Sequence, residues 1–115
     1  MMIDMDGQRR KADDFLTLHY APTIFILPNA WDVASAKIFK LEEFKAIGTT
    51  SAGISATLGY ADGQQMSLAE NMEVVRRIVN NTLLPVSADI EAGYATSVEG
   101  VVKAARAVPV PEPSD

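Results

Sequence analysis

The chain has 115 residues, 48% hydrophobic and 22% charged, with a formal net charge of −5. This composition suits one folded domain, and the acidity argues against a general nucleic-acid-binding surface. With no cysteine, the chain contains no disulfide, thiolate metal site or thiol nucleophile, and it is compatible with the expected cytoplasmic location.

The start, "MMIDMDGQRRKADD", is polar and lacks the apolar core of a secretory signal. No apolar run approaches the ~20 residues a membrane helix needs, so no membrane partner is expected. Asp6 to Tyr20 predicts a leading helix, with Phe15, Leu16 and His19 at helical spacing. His19, the sole histidine, is expected as a surface or packing residue rather than a catalyst. "TIFILPNAWD" reads as a short buried strand over Thr23 to Leu27, stopped by Pro28-Asn29. Asp32 then caps a helix over Val33 to Leu41, with Val33, Ala36 and either Phe39 or the stem of Lys40 inward.

"FKAIGTTSAGIS" predicts a second strand, Ala46 to Thr50, running into a small-residue loop. "MSLAENMEVVRRIVNN" is the clearest helix. Ser67 and Glu70 have capping-box spacing, and Met72, Val75, Ile78 and Val79 share one face. "LLPVSADIEAG" predicts a third strand. Thr96 and Glu99 then suggest a second capping box, opening a helix with a stripe of Val98, Val101, Val102 and Ala105. After Val108 the text becomes "PVPEPSD", whose prolines continue neither a helix nor a central strand. One helix followed by three β-α units predicts an α/β fold with parallel strands.

In an extended third segment Ser87, Asp89 and Glu91 share one face, and Val86, Ala88 and Ile90 the other. Parallel strands usually read as apolar on both faces, so two carboxylates at a C-terminal strand end are informative. That end is where α/β sheets and barrels hold ligands, and a hard divalent ion such as Mg2+ takes one or two carboxylates plus water. Equally, the pair could cap the next helix or sit in solvent. The stretch "TTSAGISATLGYADG", residues 49–63, could bring backbone amides to an anion or be only a tight β-α connection. It has neither a Walker pattern nor G-x-G-x-x-G. Asp62-Gly63 could be only a turn, and Trp31 either lines a pocket or fills the core.

Three stretches, "LPNAWDVASAKIF", "FKAIGTTSAGISATLGYADG" and "VSADIEAGY", carry a resemblance to the isocitrate lyase/phosphoenolpyruvate mutase superfamily, from about Phe15 to Val108. The chain looks closest to the carboxyphosphonoenolpyruvate phosphonomutase-like or 2-methylisocitrate lyase-like branch. The resemblance implies part of a (β/α)8 TIM-type barrel over residues 1–108: the leading helix and about three β-α units. Residues 109–115 are left as a proline-rich tail. It implies Mg2+-dependent making or breaking of C–C or C–P bonds next to a carboxylate, through an enolate of a pyruvate-like fragment. By position, Asp89 matches the principal metal-coordinating carboxylate. Glu91 and Asp62 match acids that hold metal-bound water. Thr50, Ser51 and Ala52 match the segment that holds the substrate carboxylate, and Trp31 and Asp32 match residues that shape the site. The implied partners are a small carboxylic-acid substrate and, in the full-length family, further copies in a homo-oligomer.

The sequence also departs from the pattern. A β/α barrel takes ~200–250 residues. The family's next acidic strand end falls after Val108, and the lyases' catalytic-loop cysteine is absent. Ala95 stands where glycine is common after the tyrosine, and Leu41-Glu42-Glu43 replaces a small-residue turn. A truncated family member is the expectation, with the isolated chain weakly active or inactive. The alternative is a non-catalytic α/β fragment with a structural or assembly role.

Overall fold

The computed structural model describes residues 5–61 and 65–111. Among them a three-stranded parallel sheet of order β1-β2-β3 is covered by helices. The elements in chain order are α1 (Met5–Tyr20), β1 (Asn29–Ala30), α2 (Val33–Leu41), β2 (Ile47–Thr49), α3 (Ser51–Thr57), α4 (Leu68–Val79), β3 (Val86–Ser87) and α5 (Val98–Arg106). No helix among the described residues is long and apolar enough to cross a membrane.

Two helices follow the sequence closely. Asp32 caps α2, accepting from Ser35 N–H at 2.7 Å while the Ser35 hydroxyl returns to the cap backbone. Ser67 and Glu70 form the reciprocal capping box on α4. Met72, Val75, Ile78 and Val79 are all buried, as the 3.6-residue period requires. Ile78 packs with Ala30, Ala36 and Ile47, and Phe39 lies against this cluster. Met72, Val75 and Val79 form a second cluster, against which Val86, Ala88, Ile90 and Val108 pack.

The strands are shorter than the sequence suggests, and register explains why. Asn29 pairs with Gly48 and Ala30 with Thr49, so β1 lies after Pro28 rather than over Thr23 to Leu27. In that register the residues opposite 23–27 are 42–46, which contain the turn closing α2 and Glu43 at φ 67°. A turn offers no ladder to pair with. The third strand stops at Ser87 because β2 becomes α3 at Ser51, leaving Asp89 without a strand opposite it. The predicted extended run to Glu91 also breaks at Glu91 itself, which sits at φ 53°. The face assignment of the apolar residues survives: Val86, Ala88 and Ile90 all face α4.

Residues 51–57, expected as a loop, form α3. The Thr50 hydroxyl accepts from Gly53 N–H at 3.1 Å and starts the helix. Ile54 and Ser55 are buried beneath it. The cap of α5 is Ser97, not Thr96; its hydroxyl accepts from Gly100 N–H. The predicted apolar stripe of α5 is also displaced. Val98 is 81% exposed, whereas Ala104 is 2% exposed and Val108 packs on the α4 cluster. On α1, Phe15 and His19 make edge-to-face contacts with each other and with Phe25, while Leu16 is exposed. His19 Nδ1–H donates to the Phe15 carbonyl at 2.7 Å, so the ring packs and binds locally.

Candidate functional site

The C-terminal ends of β2 and β3 meet at Asp89. Its Oδ2 accepts from Ser51 N–H at 3.1 Å and from the Ser51 hydroxyl at 2.7 Å. Its Oδ1 accepts from Glu91 N–H at 2.9 Å. Its own N–H donates to Thr49 Oγ1 at 3.0 Å. One carboxylate thus ties the start of α3 to the turn after β3, across a sequence separation of 38 residues.

These bonds have an electrostatic consequence. Partial burial pushes the Asp89 carboxyl up, but donors from Glu91 N–H, the Ser51 hydroxyl and Ser51 N–H prevail and hold it below the usual carboxylate range. Asp89 is therefore ionised at neutral pH. The turn that follows is tight. Gly93 N–H donates to the Ile90 carbonyl, and Glu91 and Tyr94 both occupy left-handed backbone, at φ 53° and 57°. Non-glycine residues adopt that region only when their surroundings hold them there.

Glu91 Oε2 is buried and has no hydrogen-bond partner among the described residues. An unpaired buried carboxylate oxygen is unfavourable unless something polar or cationic satisfies it. The Tyr94 hydroxyl lies near the same acid. Burial pushes its pKa up; a bond from Asn71 opposes that, and Glu91 and Asp89 add to the rise.

Of the residues named from the sequence, Ser51, Asp89 and Glu91 come together here. Thr50 spends its hydroxyl oxygen on Gly53 N–H. Ser51 N–H and Oγ are engaged by Asp89. Ala52 follows in the first turn of α3, with an exposed side chain. Trp31 is 41% exposed, and its Cβ lies 3.1 Å from where a Cβ on Gly53 would stand. It therefore flanks α3 rather than filling the core. Asp62 lies outside the described residues. Among the described residues no three His, Cys, Asp or Glu side chains cluster as a metal site.

Sequence reasoning missed three contributors. Thr49 is a strand residue whose hydroxyl accepts a backbone bond. Asn71 is fully buried on α4 and donates to the Asp89 carbonyl and the Tyr94 hydroxyl, each at 3.1 Å. Tyr94 completes the link. Asn71 left a signal, being a polar residue one turn before Val75 on the apolar face of α4. Thr49 left none.

The donor set fits a hard cation. Two carboxylates supply oxygen, and among the described residues Asp89 Oδ1 accepts one hydrogen bond and Glu91 Oε2 none.

Comparison with known proteins identifies the family and the fold. Residues 15–109 match the phosphoenolpyruvate phosphomutase family. An uncharacterized Mycobacterium tuberculosis protein is 39% identical over 87 residues, 76% of this chain and 33% of its own length. A crystal structure from Burkholderia cenocepacia, provisionally called a lyase/mutase, superposes with a TM-score of 0.83 at 34% identity, covering 90% of this chain and 36% of that one. Phosphonopyruvate hydrolase, solved with oxalate and Mg2+, shares the fold at 21% identity with a TM-score of 0.70, covering 82% of this chain and 35% of its own. The chain thus spans about a third of the length of these relatives, and the solved structures among them are barrels matched over their N-terminal portion. With the family match running over most of its length, the chain belongs to the phosphoenolpyruvate phosphomutase family, within the phosphoenolpyruvate mutase/isocitrate lyase superfamily.

Proposed function

We propose that the chain carries part of the centre of a Mg2+-dependent lyase or mutase acting on small 2-oxo or 2-hydroxy carboxylic acids. The carrying observation is the unpartnered, buried Glu91 Oε2 beside an Asp89 whose carboxylate is kept ionised by three donors. Asp89 and Glu91 would hold the cation, directly or through water, with Asp62 as a third acid. When bound, Mg2+ supplies Lewis-acid stabilisation of the negative charge that develops on the substrate's 2-oxygen. Ser51 locks the Asp89 carboxylate in one orientation through two bonds. Ala52 N–H, in the first turn of α3, is the amide best placed to meet the substrate carboxylate. Trp31 would wall the site on the β1 side. The oxalate and Mg2+ bound by phosphonopyruvate hydrolase support this ligand class by analogy of fold.

The proposed domain limits are residues 1–108 for the barrel portion and 109–115 for the proline-rich end. Among the described residues the site holds no complete acid–base set, and this chain alone is expected to have little or no activity. A non-catalytic role in assembly is the second reading. It is favoured by the exposed apolar residues on the β1 side, Ile24 at 90% and Ile26 at 62%. A homo-oligomer would be one way to cover them.

The test is a Mg2+ titration of the chain followed by amide NMR. The expected result is saturable shifts at Asp89 to Gly93 and Ser51 to Gly53, abolished by Asp89→Asn. Titration to millimolar Mg2+ with no change at those amides would reject the metal-centre reading and leave the assembly role.

A further inference from the structure

Asn71 is 0% exposed, and on an apolar helix face that position is costly for an amide. Its Oδ1 has no partner among the described residues, while its Nδ2 donates twice. An unsatisfied buried acceptor costs about 1–3 kcal/mol, and a leucine of similar volume would avoid that. The amide is accounted for by what its two N–H groups hold. The orientation of the amide is also fixed. The Asp89 carbonyl can only accept, so nitrogen, not oxygen, must face it. The Tyr94 hydroxyl then accepts from the same nitrogen, which leaves its own proton for the neighbouring acid, Glu91.

The backbone makes this clamp consequential. Glu91 and Tyr94 both sit at positive φ, and single non-glycine residues there are disfavoured by about 1 kcal/mol or more. Left alone, the turn would relax and carry the Glu91 carboxylate with it, away from an Asp89 carboxylate held by Ser51. Asn71 grips the turn at both ends, at Asp89 before Glu91 and at Tyr94 after it.

We propose that Asn71 is a positioning residue: its buried amide, bridging the Asp89 carbonyl and the Tyr94 hydroxyl, sets the direction in which the Glu91 carboxylate points, beside the Asp89 carboxylate that Ser51 holds. This rests on the reading that those carboxylates receive a divalent cation. Asn71 spends both its donors on the Asp89 carbonyl and the Tyr94 hydroxyl, so its effect on a cation would be indirect. It acts from α4, a covering helix, through the backbone of one acid and the side chain next to the other. Partners that orient metal ligands typically change metal affinity 10–100-fold when lost.

The experiment uses Asn71→Leu and Tyr94→Phe in the full chain, with Mg2+ as the probe. Far-UV circular dichroism and cooperative unfolding report the fold. Amide resonances of Glu91 and Tyr94 report the turn, and calorimetry reports Mg2+ affinity. In Asn71→Leu, the fold is expected to stay, the Glu91 and Tyr94 amides to move, and the Kd for Mg2+ to rise roughly tenfold or more. Tyr94→Phe is expected to move the same amides and raise Kd less. The double variant is expected to show less than the product of the two effects, because both act through one clamp. Unchanged turn resonances and unchanged Kd in both variants would overturn the assignment. Should Asn71→Leu fail to fold, Tyr94→Phe decides by the same two readouts. Should the parent chain take up no Mg2+, the functional reading fails on its own. The clamp is then judged by the resonances alone, and amides that stay in place reject it.

Discussion

The two margins of the small sheet are built differently. On the β3 side, side chains from three elements converge on Asp89, and bonds cross 38 and 40 residues of sequence. On the β1 side, the chain from Thr23 to Pro28 has no regular structure. Ile24 and Ile26 are exposed there, and Trp31 is 41% exposed. The first margin is closed by specific polar bonds, and the second presents apolar side chains with nothing described against them. In a protein that spans a third of its relatives' length, the β3 margin is tied by polar bonds among its own residues, with Glu91 Oε2 and Asn71 Oδ1 left without a partner among the described residues, while the β1 margin is open in its packing.

Substitutions can break this contrast, beginning with the largest expected effect. Ile47→Ala or Ile78→Ala, both at fully buried positions, should lower unfolding free energy by about 2–5 kcal/mol. Ile24→Ala, at 90% exposure, should change it by less than about 0.5 kcal/mol. Urea unfolding midpoints compare the two, and equal losses would mean that Ile24 is covered in solution, most simply by another copy. Next comes Gly93→Ala. Gly93 sits at φ 91°, and a Cβ there would stand 2.9 Å from a Val101 methyl. Both effects oppose alanine, and a loss of about 1–3 kcal/mol is expected in the same assay. Ser51→Ala removes one bond to a carboxylate but leaves the backbone donor, so about 1–2 kcal/mol is expected.

The smallest effect is in pH. The folded Asp89 carboxyl lies below its ordinary value, because its hydrogen-bond donors outweigh partial burial. Its contribution is fully present above the unfolded value, near pH 4, and is lost as pH falls through the folded value. The difference in Tm between the parent chain and Asp89→Asn should therefore shrink on acidification below about pH 4. A difference that grows instead would mean that Asp89 is protonated in the folded chain.

What could be read from the sequence followed from signals that sit within a few residues of each other. The cap of α2 and the box and stripe of α4 are local, and both helices came out where Asp32 and Ser67 place them. The strands depend on what lies opposite, which local text does not carry. Leu27 looks like a strand residue, yet the chain it would pair with is turning at Glu43. The helix α3 was invisible for a related reason. "SAGISAT" has no apolar period, and its start is fixed by the Thr50 cap and by Asp89 from the segment after β3. The spacing of Asp89 and Glu91 singled out the segment on which the Thr49, Ser51 and Asn71 bonds converge. The alternation argument, however, assumed an extended chain through Glu91, and the structure uses a left-handed turn there. Asn71 was legible only as an anomaly in an apolar face.

The paired rungs between the second and third strands end at Gly48 and Ser87. One residue later on the former, a threonine hydroxyl catches the amide of Asp89. Past that catch the two segments fork, one winding into α3 and the other bending toward Gly93. That hydroxyl, with the two Ser51 bonds to the Asp89 carboxylate just beyond it, holds the crotch of the fork, and the rate at which solvent deuterium reaches the Asp89 amide gauges how often the fork springs open.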